Sequence, residues 1–593
     1  MSLVPLRHVT LIGMLADKPA IVAALQELGF LQLVGLRPDD VLAREVGGGP
    51  SPEARRALAF LLDSPWQRRR RRSPGRQGFD PVHLQDRALE LEQRLRALRD
   101  ERDFLTIRVR NLAPWGNFEF GTLEQMGGQR LWFYQIPFYQ LRAIPADLPY
   151  TIVHRDHRFA YVVVVTPEEP TTMPLARVHT GAVSRARLLD RLDEIEAQIE
   201  DIQGERAILT RDTTLLAASL ARLEDAAARR GAEALALDDT PLFALAAWAP
   251  ADRVEALQSA LADFPLVLRV REPGPDDAPP TLFEPNPRLA GAHSLVTFYM
   301  TPGYFTWDPS ILVLISFAIM FAMIVADAGY GLVLGLISLL FWRSMAKGMR
   351  LVVGIVVGAT IGYGVLVGSY FGIIPDPLGP LGRVRALDAA DPSTMMALSI
   401  VLGVIHLVLA NAANAWRLRS SASLAPIGWI VILLGGLLAI GSVTGVVPGF
   451  TLAGLITIAL GSIGVVFFTA STTSKGEKVG FGARIGRGLL AMTRLTNAFG
   501  DVLSYLRLFA LGLASGSLAA AFNDLAAKSH AAVQGAGIAL ALLVLVVGHG
   551  LNFLLALMSG VVHGLRLNYI EFFNWGLEDE GKPFRAFRRK EIE

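Results

Sequence analysis

The sequence predicts a multi-domain protein of two parts. An N-terminal cytoplasmic α/β dumbbell with an antiparallel coiled-coil stalk precedes a C-terminal polytopic α-helical membrane domain with two long helices at its end. Three observations predict this. First, 52% of the 593 residues are hydrophobic and 19% charged, with a mean hydropathy of +0.40, which requires lipid-facing segments. Second, residues 1–300 carry most of the charge, and long uncharged runs dominate from Ile311 onward. Third, two segments within the charged part carry heptad stripes. The parts are residues 1–300 and 301–593.

Composition also excludes chemistry. The net charge of +2 implies no nucleic-acid partner by itself. The chain has no cysteine, which rules out disulfides, thiolate-bound zinc, iron–sulfur clusters and thiol catalysis. No cofactor or metal site is expected. The N-terminal stretch has only a short apolar patch before charge begins, so no cleavable signal peptide is predicted and the amino end is expected in the cytoplasm.

His8–Leu15 and Phe30–Leu36 read as strands around a helix at Ala20–Leu28, which Gly29 ends. The arginine run Arg68–Arg72 reads as a solvated loop, with an anionic-surface contact as the alternative. Leu84, Ala88, Leu91, Leu95, Leu98, Arg102, Leu105, Val109 and Leu112 step by four and three, breached only at Arg102. Leu188, Leu192, Ile195, Ile199, Ile202, Arg206, Leu209, Thr213, Leu216, Leu220 and Leu223 repeat the pattern, breached at Arg206 and Thr213. So narrow a stripe wants one partner helix, and the simplest partner for each rod is the other, run antiparallel over roughly 45–50 Å.

The rods span 82–113 and 183–230. The insert 114–180, with strand-like Arg130–Pro137 and Phe159–Thr166, forms a distal lobe. Leu242–Trp248, Val254–Phe264 and Leu266–Arg271 again read strand, helix, strand, and 235–300 pairs with 1–80 as a proximal lobe.

In the second part, runs long enough to span a bilayer occur at Leu351–Ile374, Thr394–Trp416, Ala425–Val443, Phe450–Ala470, Ala498–Phe522 and Gly535–Val562. Ile311–Trp342 would reach ~48 Å as one helix in a ~30 Å core. It is either one tilted helix or a hairpin broken near Asp327-Ala328-Gly329. Basic residues cluster in alternate loops: Arg343, Lys347 and Arg350; Arg417 and Arg419; Lys475, Lys478, Arg484 and Arg487; Arg585, Arg588, Arg589 and Lys590. Positive loops stay inside. With the first part also inside, the hairpin reading gives eight crossings and both termini in the cytoplasm; seven is the alternative.

Charged groups in mid-membrane default to function. Arg507 sits in DVLSYLRLFALGLASGSLAAAF, too deep to snorkel to water. Asp501 and Ser504 share its broad helical face, although six residues is a poor spacing for an intrahelical pair between Asp501 and Arg507. His549, Asn552, Ala556, Ser559, His563 and Arg566 step by 3, 4, 3, 4 and 3, which confines them to roughly 100° of one helix. Such a stripe either glues helices together or lines a water path. Arg566, with Glu571 just beyond, favours the path.

An arginine keeps its proton at any working pH. A carboxylic acid carried past it loses its proton more readily: at ~4 Å and an effective dielectric near 20 the bias is about 4 kcal/mol, or roughly three pKa units. A buried lysine can be neutralised and would do this worse.

This constellation resembles the membrane subunit of the V/A-type rotary ATPases, subunit a or subunit I. The likeness lies in LSYLRLFALGLA around Arg507, VHGLRLNYIEFF around Arg566, the tail GLEDEGKPFRAF, and YFTWDPS, GYGVLVGSYFG and LSIVLGVIHL. The segment FAMIVADAGYG departs from the family's glycine pattern, with Ala322 and Ala326 near Asp327. The resemblance implies a stator that forms two ion half-channels beside a rotor ring, with transmembrane arginines forcing deprotonation of rotor carboxylates. It makes Arg507 and Arg566 the stator pair, assisted by His563, with Glu571 on the cytoplasmic half-channel. Asp327, His549, Asn552, Ser504 and Asp501 are further proton-translocation candidates, and His406 reads as a packing histidine.

The partners it implies are a ring of small hydrophobic proteolipid subunits, peripheral-stalk subunits at both lobes, a central-stalk cap subunit, indirectly the soluble ATPase head, and the lipid bilayer of a prokaryotic inner membrane. The alternative is a secondary ion-coupled transporter, against which the chain shows no internal repeat. A nucleotide site at Gly576…Gly581-Lys582 is rejected because Pro583 stands where a serine or threonine is needed.

Overall fold

The computed structural model describes residues 3–36, 49–70, 78–118, 124–181, 183–274, 277–284, 286–388, 391–418, 423–469, 480–532, 536–577 and 580–590. Arg71, Arg72, Arg419, Lys475, Lys478, Glu578 and Asp579, invoked above, lie outside the described residues.

In chain order, β1 (Leu6–Met14), α1 (Lys18–Leu28) and β2 (Gln32–Val34) come first. α2 (Pro52–Leu62) and α3 (Pro81–Leu112) each open on a capping side chain, Ser51 or Asp80, with proline in the first turn. β3 (Arg130–Pro137), β4 (Tyr150–Arg155) and β5 (Phe159–Thr166) form the insert. α4 (Arg185–Leu209), capped by Ser184, and α5 (Thr213–Leu235) complete the rods. β6 (Leu237–Asp239), β7 (Leu242–Pro250), α6 (Val254–Ala260), β8 (Leu266–Arg271) and α7 (Ala290–Thr297) lead to the apolar helices. These are α8 (Ser310–Val325), α9 (Ala328–Leu340), α10 (Lys347–Val367), α11 (Pro392–Leu418), α12 (Leu424–Val443), α13 (Thr451–Phe468), α14 (Phe481–Met492), α15 (Arg494–Ser504), α16 (Leu506–Ala532) and α17 (Gly537–Arg566). A π-turn, Leu567–Phe572, joins α17 to the short α18 (Phe573–Gly576).

The chain divides into two compact units. One holds Met1–Ala24, Phe30–Leu36 and Ala236–Phe587; the other holds Leu25–Gly29, Arg37–Leu235 and Arg588–Glu593. The sheet built from both ends of the first 300 residues therefore groups with the apolar helices.

In the first unit that sheet has the order β2-β7-β1-β8, with β6 also on β7. All pairs are antiparallel, the split βαβ arrangement expected of two interleaved strand–helix–strand units. Val9, Leu11, Leu31, Phe243 and Leu245 fill its core. Residues of the C-terminal tail pair beside it: the Phe584 N–H donates to the Thr281 carbonyl at 3.0 Å and the Phe587 N–H to the Leu31 carbonyl at 2.6 Å.

In the second unit α3 and α4 pack antiparallel. Arg87 Nε reaches Glu205 at 2.7 Å and Arg191 Nε reaches Glu101 at 3.0 Å, so rising numbers on one rod meet falling numbers on the other. Leu91, Leu95, Leu105 and Leu112 meet Leu188, Ile195, Ile199 and Ile202, joined by Trp115, Phe133 and Tyr161. The three-stranded sheet has the order β3-β5-β4.

The second heptad segment is not one helix. A 3-10 turn, Thr210–Asp212, ends α4. α2 then enters, and its Ala54, Ala57 and Leu61 pack against Leu84 and Ala88 of α3 and Leu216 and Leu220 of α5. The breach at Arg206 marks this junction. The Arg206 guanidinium is buried, donates from Nε to the Phe60 carbonyl at 3.1 Å and lies 4.0 Å over the Phe60 ring. Burial lowers its pKa from the usual arginine range, against which Asp63 acts.

Among the described residues, six helical segments are long and apolar enough to cross a membrane, and α8 and α9 are shorter apolar helices. At 1.5 Å per residue these two measure about 24 and 20 Å. Ala326 adopts a left-handed conformation, φ +49°, and ends α8, and Asp327 caps α9. The N-terminal parts of α8 and α10 meet at α7: Leu314, Phe317, Val352 and Ala292 share one cluster. α9 runs back along α10, Gly331 against Ile361 and Gly335 against Val357. The long apolar run is thus a hairpin held open by α10, not one tilted helix. α12 and α13 approach through Gly428 and Gly461, where a Cβ on Gly461 would lie 2.6 Å from the Gly428 carbonyl oxygen.

Candidate functional site

α16 and α17 form an antiparallel hairpin. Asn552 Nδ2 donates to the Ser515 carbonyl at 2.9 Å, and His549 Nε2 lies 3.0 Å from Asn523 Oδ1. On this hairpin the residues picked from sequence fall into two groups.

The first group surrounds Arg507. The helix tightens just before it: Tyr505 separates α15 from α16, its N–H bonding Val502 and its carbonyl accepting from Leu508, both one residue short of the α-helical period. Its ring fills a socket on α11, where a Cβ on Gly403 would lie 2.7 Å from it, and its hydroxyl lies 2.7 Å from His406 Nδ1. Among the described residues, Arg507 Nη1 is buried and has no hydrogen-bond partner, and neither has His563 Nδ1. His563 lies within Coulombic range of both Arg507 and Arg566.

Beyond Arg566 the π-turn re-aims the chain, as such turns often do at functional sites. It buries Asn568 and Glu571 to 0% and 2% exposure. The Glu571 carboxylate lies beside Ser504 and within Coulombic range of Arg566 and Asp501. Its Oε2 is buried without a hydrogen-bond partner. Asp501 accepts from Trp575 Nε1 at 2.7 Å, and Arg494 lies 5.2 Å over the Trp575 ring.

The second group is saturated. Tyr330 places its hydroxyl 2.8 Å from His549 Nδ1 and accepts from Asn552 Nδ2 at 2.9 Å. Asp327, 3% exposed, accepts from the N–H groups of Tyr330, Phe371 and Gly372 at 3.0, 2.9 and 2.9 Å and from the Ser369 hydroxyl at 2.6 Å. These are the bonds of a helix cap fastened to the turn after α10. His549 and His563 are fourteen residues apart, about 21 Å along α17. Between Asn552 and His563 the helix is apolar or small, with Gly560 packed on Phe321. The polar residues of the predicted stripe with hydrogen-bond partners on other helices thus gather at His549 and Asn552, apart from His563 and Arg566. Among the described residues no cluster of three or more histidines and carboxylates could hold a metal ion.

Sequence reasoning missed Tyr330, Ser515, Asn523, Tyr505 and Asn568. Only Asn523 carried a usable signal, as an amide within an apolar helix.

One group thus gathers two arginines, an imidazole and a carboxylate, with polar atoms of Arg507, His563 and Glu571 left without a partner among the described residues. The chain is similar to subunit I of the V-type and A-type ATP synthases. It is 27% identical over 437 residues to V-type ATP synthase subunit I of Chlamydia pneumoniae, covering 60% of this chain and 62% of that one. It is 27% identical over 489 residues to A-type ATP synthase subunit I of Methanocaldococcus jannaschii, covering 72% and 69%. It is 30% identical over 369 residues to V-type ATP synthase subunit I 1 of Treponema pallidum, covering 58% and 57%. The matched regions thus span about three fifths to two thirds of these relatives' lengths. The crystal structure of the cytoplasmic N-terminal domain of subunit I, homolog of subunit a, of V-ATPase aligns to 45% of this chain and 100% of that one at 15% identity, with a TM-score of 0.22. No protein-family model matches the chain.

Proposed function

We propose that this chain is the membrane stator subunit of a V/A-type rotary ATP synthase. In this reading it has no nucleotide site of its own and moves ions past a rotor ring of small proteolipid subunits. Arg507 is the fixed cation that forces each rotor carboxylate to release its proton. Its buried, unpaired Nη1 carries the reading, because a guanidinium N–H kept dry and unbonded within its own chain is ready for a carboxylate brought from outside. Arg566 is the second cation, and His563 lies between their fields.

Glu571, Ser504 and Asp501 line the cytoplasmic half-channel, where the free Glu571 oxygen accepts or passes a proton. A cavity of about 230 Å³ bordered by Tyr363, Ser369, Ser399 and Ser517 reaches Leu508, next to Arg507 in the chain. We assign the outer half-channel to it. The Tyr330–His549–Asn552 group and Asp327 act as the lock that keeps α9, α16 and α17 in register. The soluble lobes and rods join the membrane part to peripheral-stalk subunits, the central-stalk cap and, indirectly, the ATPase head. The subunit crosses a prokaryotic inner membrane eight times, with both termini in the cytoplasm.

Isolation from the native membrane in mild detergent tests the assignment. The expected result is co-purification with a ring of small hydrophobic hairpin proteins and two-helix stalk subunits. A lone homodimer carrying none of them would overturn it and favour a secondary transporter.

A further inference from the structure

The His406 imidazole contacts Tyr505 and Phe572, residues beside Arg507 and Glu571 in the chain. Nδ1 lies 2.7 Å from the Tyr505 hydroxyl, two residues before Arg507. One face stacks on Phe572, next to Glu571, with centroids 4.4 Å apart and planes 8° from parallel. His406 is 2% exposed and Tyr505 and Phe572 are fully buried. His406 Nε2 is buried without a partner. A leucine would fill this space without that cost of roughly 1–3 kcal/mol, so packing alone does not account for the imidazole.

The two segments it touches are the irregular ones: the tightened turn at Tyr505 that leads into Arg507, and the π-turn that carries Glu571. Neither is fixed by regular helix hydrogen bonding, so each needs an outside anchor to hold its side chain at one azimuth.

We infer that His406 is a positioning residue for ion transfer, one side chain that sets the placement of Arg507 through Tyr505 and of Glu571 through Phe572. The inference rests on the stator reading above. It does not require His406 to carry a proton.

The test uses the whole complex reconstituted in vesicles, with ATP hydrolysis and ATP-driven ion uptake measured together. Tyr505→Phe removes one hydroxyl. His406→Phe keeps a stackable ring and removes the hydrogen bond. His406→Asn keeps a hydrogen-bonding nitrogen near Nδ1. Tyr505→Phe and His406→Phe are each expected to lower ions moved per ATP by about tenfold, as loss of a positioning contact does, with assembly unchanged. The double variant should be no worse than either single variant, and His406→Asn, which keeps the bond to Tyr505 but loses the stack on Phe572, should recover only part of the uptake. Normal uptake per ATP in both phenylalanine variants would overturn the inference, as would a fall in complex yield or melting temperature alone. Arg507→Ala, run in parallel, separates the two levels: if it transports normally, the stator reading itself has failed.

Discussion

The Tyr330 hydroxyl stands 2.8 Å from His549 Nδ1 and also accepts from Asn552, so one phenol joins α9 to two positions on α17. Both ring nitrogens of His549 are engaged, the second by Asn523 on α16. Tyr330→Phe should therefore cost roughly 1–2 kcal/mol, in line with hydrogen bonds between membrane helices. Thermal unfolding in detergent should show the loss, with ions moved per ATP unchanged. Abolished transport in a well-assembled variant would place this group on the ion path instead.

Arg206 should behave as a clamp. Its guanidinium serves the Phe60 carbonyl and ring where α2 docks between the rods. Arg206→Ala should cost roughly 2–3 kcal/mol through the stranded carbonyl and the lost ring contact. Hydrogen exchange should rise in α2 before it rises in α3, and equal protection of α2 in the variant would contradict this.

Close helix approach predicts a contrast between two glycines. A Cβ on Gly364 would lie 2.6 Å from the Asp327 carbonyl carbon, while one on Gly436 meets nothing within 4 Å. Gly364→Ala should weaken the packing of the α8–α9 hairpin on α10 by about 1–3 kcal/mol, and Gly436→Ala should be neutral. Paired melting curves decide it.

The sheet of the first unit should weaken in acid. Burial lowers the His8 pKa, and the neighbouring Arg271 lowers it further, against a smaller opposite pull from Asp277. The folded form thus prefers neutral imidazole. Its contribution to stability is full above the unfolded pKa near 6.5 and is lost as pH falls through the lower folded value. Melting temperature against pH should fall below about pH 6.5, and His8→Phe should flatten that slope.

Periodicity made α3 and α4 legible, because a narrow apolar stripe names its partner type. It could not show that Arg206 and Thr213 mark the entry of α2, since a third helix at one end leaves no heptad of its own. Length exposed the problem in residues 311–342, but either a tilt or a break would have answered it. The capping bonds of Asp327 decided for the break.

The site was legible where one residue suffices. Arg507 and Arg566 are charges in apolar helices, visible as such. His549, Asn552, His563 and Arg566 all lie on α17 as spaced, yet they divide by their partners, and those partners sit on α9, α16 and the π-turn. A change of helical period at Leu567–Phe572 leaves no trace in an apolar pattern, so the burial of Glu571 beside Ser504 was out of reach.

The central claim is that one permanent cation at position 507 makes rotor carboxylates give up their protons. Arg507→Ala in the assembled complex measures it most directly, through ATP-driven ion uptake into vesicles. The account predicts a complete complex that moves no ions. Uptake per ATP equal to that of the unaltered complex would contradict it.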